Sequence, residues 1–297
     1  MSKLITIQND CLEVTISTYG AEVHSIKYLG EEKLWNADPS VWNCYSPVLF
    51  PICGRLKDNY YTHEGVRYDM KIHGFAWKSE FELISHEKTS ATFLLKSNEE
   101  TKKLYPFDFV FKVMYKLNKD SMQTYYIVEN SGDKTMYYNV GGHEAYKIEG
   151  KDLENHSILF EKGETVKSTT IVEGLIIENI YELPTNNGDF PLRKAYFDSK
   201  TIMPNGLPSG DSVIIENIPS KRATLLYKGE PILSTYYNDF EHLVMWTKED
   251  ANFLAIEPWS GLDDDIEKST HVLSEKKSIE KLEKGQMKTY YHSVTFY

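Results

Sequence analysis

With 297 residues, 41% hydrophobic and 26% charged, the chain has ample material for a buried core, and its composition excludes a disordered or fibrous protein. A net charge of -11 argues against nucleic acid or an anionic membrane as the main partner, while leaving small neutral molecules open. The N-terminus has no sustained apolar run and no later run is long enough to span a bilayer, so a cytoplasmic protein is expected. Cys11, Cys44 and Cys53 are odd in number and lack metal-type spacing, which predicts free thiols.

The elements follow in chain order. Leu12, Val14 and Ile16 alternate with polar residues, and Gly20 turns the chain into a second strand carrying Val23 and Ile26. Asp38-Pro39 reads as a cap for a single helical turn before Trp42. Pro47 and Pro51 hold an apolar loop extended up to Gly54, with Arg55 directly after it. A short strand over Val66 to Tyr68 precedes His73-Gly74-Phe75-Ala76-Trp77. Phe81, Leu83, Phe93 and Leu95 continue the sheet pattern, and Asn98 to Lys103 alone suggests a helix. Phe109, Phe111, Val113, Tyr115 and Leu117 line one face of a long strand, and Gln123 to Glu129 forms the next, ending at the turn signal Asn130-Ser131-Gly132.

Met136 to Val140 forms a strand running into Gly141-Gly142-His143-Glu144, where two glycines permit close backbone approach to a ligand. From Lys151 to about Asn205 the sequence is polar and irregular, suited to loops and edge strands. Five strand candidates follow, at Asp211 to Ile218, Arg222 to Tyr227, Pro231 to Tyr237, His242 to Thr247 and Asn252 to Glu257, and a last one runs through Val294 and Phe296. Many strands, almost no helix and no linker predict one large all-β antiparallel sandwich domain over 1–297.

Glu257 ends an apolar run. Alternation puts it on one face with Phe253 and Ala255, and Pro258 is expected to stop the strand there. Half-burial beside Trp259 would raise its pKa, as suits a proton-transfer group. His143-Glu144 is not the zincin motif, since position 147 is Lys and a double glycine precedes the histidine. The acidic run Asp263-Asp264-Asp265 lacks calcium-loop spacing and reads as a solvated turn. Arg55, His73, His143 and Glu257, with Trp77, Tyr146 and Trp259 around them, supply a cation, two imidazoles, a carboxylate and aromatic rings. That set suits a neutral carbohydrate.

Four segments in order, Ser46 to Arg55, His73 to Ala76, Gly142 to Tyr146 and Ile256 to Trp259, resemble the galactose mutarotase, or aldose 1-epimerase, family, most closely its LacX-like branch. The resemblance implies a β-supersandwich with an open cleft. It implies Glu257 as general base and His143 as general acid in ring opening and reclosure of a monosaccharide, with His73 and Arg55 binding the sugar and no metal or organic cofactor. A substrate-binding aspartate is also implied, for which Asp211 and Asp198 compete. Relatives acting on hexose 6-phosphates tend to carry arginine where this chain has Trp77, so a free hexose such as galactose or glucose is expected over a phosphosugar. A monomer or weak homodimer is expected. Competing readings are a hexose-6-phosphate epimerase, a sugar-binding sandwich without catalysis, and a glycoside hydrolase using Glu257 with a second carboxylate such as Asp211.

Overall fold

The computed structural model describes residues 2–203, 206, 210–249 and 251–297. The strongest alternation in the sequence forms the centre of the larger sheet. Phe109–Asn118 and Ser121–Asn130 pair antiparallel from Phe109 opposite Asn130 to Asn118 opposite Ser121. Every second residue is buried on both strands. Burying each large apolar side chain contributes about 1.5–3 kcal/mol, which fixes the register, because a one-residue slip would expose the whole set. On one side of this hairpin lie Ser90–Lys96 and Glu82–Glu87; on the other, Met287–Phe296, Glu230–Tyr236, Arg222–Tyr227, His156–Phe160 and Asp189–Pro191 complete a nine-stranded sheet.

A second sheet runs in the order Leu175–Leu183, Val166–Val172, Ser212–Ile215, His242–Trp246, Phe253–Trp259, Gly141–Gly142 and Val48–Leu49, with Ala145–Lys147 also paired to Phe253–Trp259. The two sheets face one another across the main core. Phe50, just beyond Val48–Leu49, stacks on Phe111 of the larger sheet at 4.5 Å between ring centroids, and Leu254 and Ile256 join the same core. The fold is therefore the expected all-β supersandwich. Leu4–Gln8, Leu12–Ser17, Val23–Tyr28 and Glu31–Glu32 form a further small sheet, in which the predicted hairpin is present.

Helix is rare, as predicted. Glu99–Leu104 is started by the Asn98 side chain, which accepts hydrogen bonds from the Glu100 and Thr101 amides. At Asp38 the chain makes one turn, with the Val41 and Trp42 amides donating to the Asp38 carbonyl. The segment starting at Lys151 supplies edge strands as expected, since Val166–Val172 and Leu175–Leu183 form a hairpin at the edge of the second sheet and Asp189–Pro191 closes one edge of the larger sheet. Asn205, where that segment was expected to end, lies outside the described residues.

Pro258 does not stop its strand. Proline removes one ladder donor but keeps the backbone extended, and Trp259 beyond it still pairs with His242 on one side and Gly141 on the other. The strand's two faces divide as the alternation predicts. Leu254 and Ile256 enter the main core, while Phe253 and Ala255 join Trp35 and Ala145 in a separate outer cluster, against which Trp42 and Trp246 pack. Glu257 shares that outer face.

Candidate active site

Strand ends and loops gather over the outer face of the second sheet around a cleft of about 250 Å³. Arg55, His73, Trp77, His143, Asp211, Glu257 and Trp259, seven of the nine residues singled out in the sequence, line it. Tyr146 does not. Its ring is buried in the main core and meets Phe296, because it points to the opposite side of the sheet from His143. Asp198 lies elsewhere, lining a different cavity with Lys194 and Thr201, and it accepts hydrogen bonds from the Lys200 amide and the Thr201 hydroxyl. Of the two candidate aspartates, only Asp211 faces the cleft.

At the floor of the cleft, His143 Nε2 lies 3.4 Å from Glu257 Oε2. Glu257 is only 1% exposed rather than half-buried, and the Trp259 indole N–H donates to the same oxygen at 3.1 Å. Burial pushes the Glu257 carboxyl well above its ordinary range; the Trp259 hydrogen bond opposes this, and the neighbouring carboxylates Glu144, Asp263 and Asp211 add to it. Burial also pulls the His143 imidazole down to about 3. Both shifts disfavour charge. A single proton on the pair can be placed as carboxylic acid beside imidazole or as carboxylate beside imidazolium, and a polar ligand would favour the second arrangement.

Aromatic rings fix His143 from two directions. Trp42 stacks on it at 5.1 Å between centroids, and Trp246 meets it edge-on at 5.5 Å. Its Nδ1 has no hydrogen-bond partner among the described residues. His73 stands at right angles to His143 at 5.4 Å and also contacts Trp259. The His73 backbone is left-handed, with φ of 63°, a conformation that β-carbon-bearing residues adopt at a cost and that recurs at functional sites. Two backbone contacts hold it there. The Gly54 amide donates to His73 Nδ1 at 3.2 Å, and the His73 amide donates to the Gly54 carbonyl at 2.9 Å. Burial, with the charges of His143 and Arg55 nearby, keeps the His73 imidazole well below its usual range, so it is neutral.

Gly141 and Gly142 serve packing rather than ligand approach. A β-carbon at Gly141 would lie 2.8 Å from the Pro258 carbonyl oxygen and 2.9 Å from the Trp259 ring, and one at Gly142 would lie 2.5 Å from Glu144 Oε2. The acidic run is not a solvated turn. Asp263 and Asp264 are each only 5% exposed. Asp264 pairs with the buried Lys276 at 2.8 Å and accepts from the Lys57 amide, while Asp263 Oδ1 accepts from the Arg55 amide at 2.6 Å. Burial raises the Asp263 carboxyl to about 6.

Sequence reasoning missed Trp42, Trp246 and Asp263 as cleft residues. Trp246 had a usable signal. It pairs with Ala255 while Val244 pairs with Glu257, so both share the face of Glu257 once the two strands are aligned. The three cysteines are free, and Cys44 lines the cleft. Among the described residues, no three His, Cys, Asp or Glu side chains come together to hold a metal ion, and no helix is long and apolar enough to cross a membrane.

This sandwich, with a buried carboxyl–imidazole pair under tryptophans at its strand ends, is a galactose mutarotase-like fold. A galactose mutarotase related enzyme from Lactobacillus acidophilus superposes with a TM-score of 0.90 at 31% identity, over 99% of this chain and 97% of that one. A galactose mutarotase-like protein from Lactobacillus casei gives 0.88 at 25% identity, over 99% and 100%. The family model described as Aldose 1-epimerase matches residues 3–277, and the chain belongs to that family. The plasmid-borne protein LacX of Lactococcus lactis subsp. lactis is 31% identical over 290 residues, 94% of each chain.

Proposed function

We propose that the protein interconverts the α and β anomers of a free hexose such as galactose or glucose. The observation that carries this is the buried His143–Glu257 pair, 3.4 Å apart on the floor of the cleft. The two oxygens that exchange protons in mutarotation, the anomeric hydroxyl and the ring oxygen, are bonded to the same carbon, so the base and acid acting on them must be neighbours.

In the forward step the Glu257 carboxylate takes the proton of the anomeric hydroxyl while the His143 imidazolium gives its proton to the ring oxygen. The bond from C1 to the ring oxygen breaks and a C1 carbonyl forms. Rotation about C1–C2 then presents the other carbonyl face. In reclosure Glu257 returns a proton to the carbonyl oxygen and His143 takes the one from the attacking hydroxyl, which restores the pair. Side chains supply both proton transfers, so the reaction draws on no metal or organic cofactor. Arg55, His73 and Asp211 hold the hydroxyls, and Trp77 and Trp259, joined by Trp42 and Trp246, offer apolar faces to the sugar. The chain works as one domain, in the cytoplasm, as a monomer or weak homodimer.

Among the described residues lining the cleft, Arg55 is the only one with a permanent positive charge, and Asp211, Glu257 and Asp263 line it too. That balance supports a neutral sugar over a phosphosugar. The test follows optical rotation of freshly dissolved α-galactose and α-glucose against the uncatalysed rate. Acceleration without release of reducing sugar from oligosaccharides is expected. Failure with both sugars and with their 6-phosphates would overturn the reading in favour of a sugar-binding protein, and release of reducing sugar would indicate a glycoside hydrolase.

A further inference from the structure

Asp263 is a buried carboxyl at the cleft that the proton-transfer steps do not use. Its closest contacts are with the Gly54–Arg55 turn. Oδ1 accepts from the Arg55 amide at 2.6 Å, and the carboxyl fills the space over Gly54 so closely that a β-carbon there would lie 2.5 Å from Oδ1. Gly54 has a left-handed φ of 68°, which suits glycine and leaves room for this contact. Next along the chain, the Asp264 amide donates to the Arg55 carbonyl at 2.8 Å, and the Asp264 side chain accepts from the Lys57 amide and pairs with buried Lys276. Residues 263 and 264 thus clamp 54–57 from across the chain.

The clamped turn controls His73. The Gly54 amide, one peptide before the bond that Asp263 accepts, is the donor to His73 Nδ1. A nitrogen that accepts a hydrogen bond cannot carry the proton, so neutral His73 must hold its proton on Nε2. The ring lines the cleft, and Nε2–H is the donor left for a substrate oxygen. Arg55 is constrained from a second side, where Gly174 lies so close that a β-carbon would sit 2.7 Å from Arg55 Nε.

We propose that Asp263 is a positioning residue that holds the Gly54–Arg55 turn so that His73 presents Nε2–H, and Arg55 its guanidinium, to the substrate. The consequence for sugar affinity rests on the epimerase reading; the consequence for the His73 tautomer does not. Long-range proton–nitrogen correlation spectra of the full-length ¹⁵N-labelled protein, with His73 assigned by its absence in His73→Asn, read the tautomer directly. Wild type is expected to show the Nε2–H form. Asp263→Asn, whose amide oxygen can still accept from Arg55, is expected to keep it, and Asp263→Ala to give a mixture. In the mutarotation assay Asp263→Ala should raise KM about tenfold with kcat changed less than about threefold, and Asp263→Asn should restore KM. If Asp263→Ala does not fold, Asp263→Ser, whose hydroxyl falls short of the Arg55 amide, takes its place with the same expectations. A wild-type tautomer in the Ala or Ser variant overturns the proposal. So does a parallel loss of kcat and melting temperature with KM unchanged, which would make Asp263 a purely structural residue.

Discussion

Two glutamate–histidine pairs lie back to back in this molecule, and only one of them opens onto a cleft. Residues 143 and 144 are consecutive, with their side chains on opposite faces of the second sheet. His143 meets Glu257 at 3.4 Å in the cleft, and Glu144 meets His292 at the same distance between the sheets. Burial acts on both pairs alike. It pulls His143 and His292 each down to about 3, pushes Glu144 up to about 8 and drives Glu257 well above its ordinary range. The inner pair is enclosed by Tyr126, whose hydroxyl lies 3.2 Å from His292 Nε2, and by the Gly142 backbone. Residue type, distance and shifted pKa are therefore not enough to mark a catalytic pair; access to a ligand separates the two.

Removing an acid–base partner on the open side should give the largest effect. His143→Asn is expected to lower kcat roughly 10²- to 10⁴-fold, the usual range for a lost general acid, with sugar affinity largely kept when measured by calorimetry. A loss of affinity equal to the loss of rate would mean that His143 binds rather than transfers protons. Arg55→Ala should act on binding. Losing a charged hydrogen-bond donor at about 1.5–3 kcal/mol predicts KM higher by roughly 10- to 150-fold with kcat little changed, read from steady-state mutarotation.

The sealed pair should reveal itself in stability instead. Glu144 has a folded pKa of about 8, raised from 4.5. Between those values the native state binds more protons than the unfolded state, so the stability this group contributes is full below 4.5 and is lost as pH rises towards 8. His292 works in the opposite sense. Its folded pKa of about 3, lowered from 6.5, makes stability rise with pH between 3 and 6.5. Above 6.5 only Glu144 of this pair still makes stability change with pH. Glu144→Gln should accordingly flatten the fall in unfolding free energy from pH 6.5 to 8, by up to about 1.4 kcal/mol per pH unit, in urea titrations at several pH values. An unchanged slope would show that Glu144 is ionised in the native protein. The smallest effect is expected away from both pairs. Asp198→Ala should leave KM unchanged and shift the melting temperature only slightly, and a raised KM would reopen the choice against Asp211.

The open pair was more legible in the sequence than its surroundings were. Glu257 announced itself as a carboxyl closing an apolar strand, and His143 as a histidine after two glycines in a family-like segment. Their meeting follows from the pairing of residues 253–259 with 141–142 and 145–147, which no local pattern prescribes. Trp42 sits in a loop after a single turn, outside any periodicity that would give its direction, yet it stacks on His143. Asp263 is buried against the usual solvation of charge runs, because its partner amide at Arg55 lies 208 residues away. The sealed pair was illegible for the same reason. Nothing near His292 in sequence suggests a buried carboxyl, and its strand meets Glu144 only when the sheets are stacked. Long-range contacts decide which polar residues are enclosed, and alternation alone decides which face they take.

In the proposed mechanism the pair opening onto the cleft transfers protons and the enclosed pair does not. Polarimetry of fresh α-galactose and α-glucose with wild type, Glu257→Gln and Glu144→Gln at pH 7 tests it in one series. Wild type and Glu144→Gln should accelerate mutarotation within about threefold of each other, while Glu257→Gln still binds sugar and leaves the spontaneous rate unchanged. Wild-type acceleration by Glu257→Gln, or its loss in a folded Glu144→Gln, would contradict it.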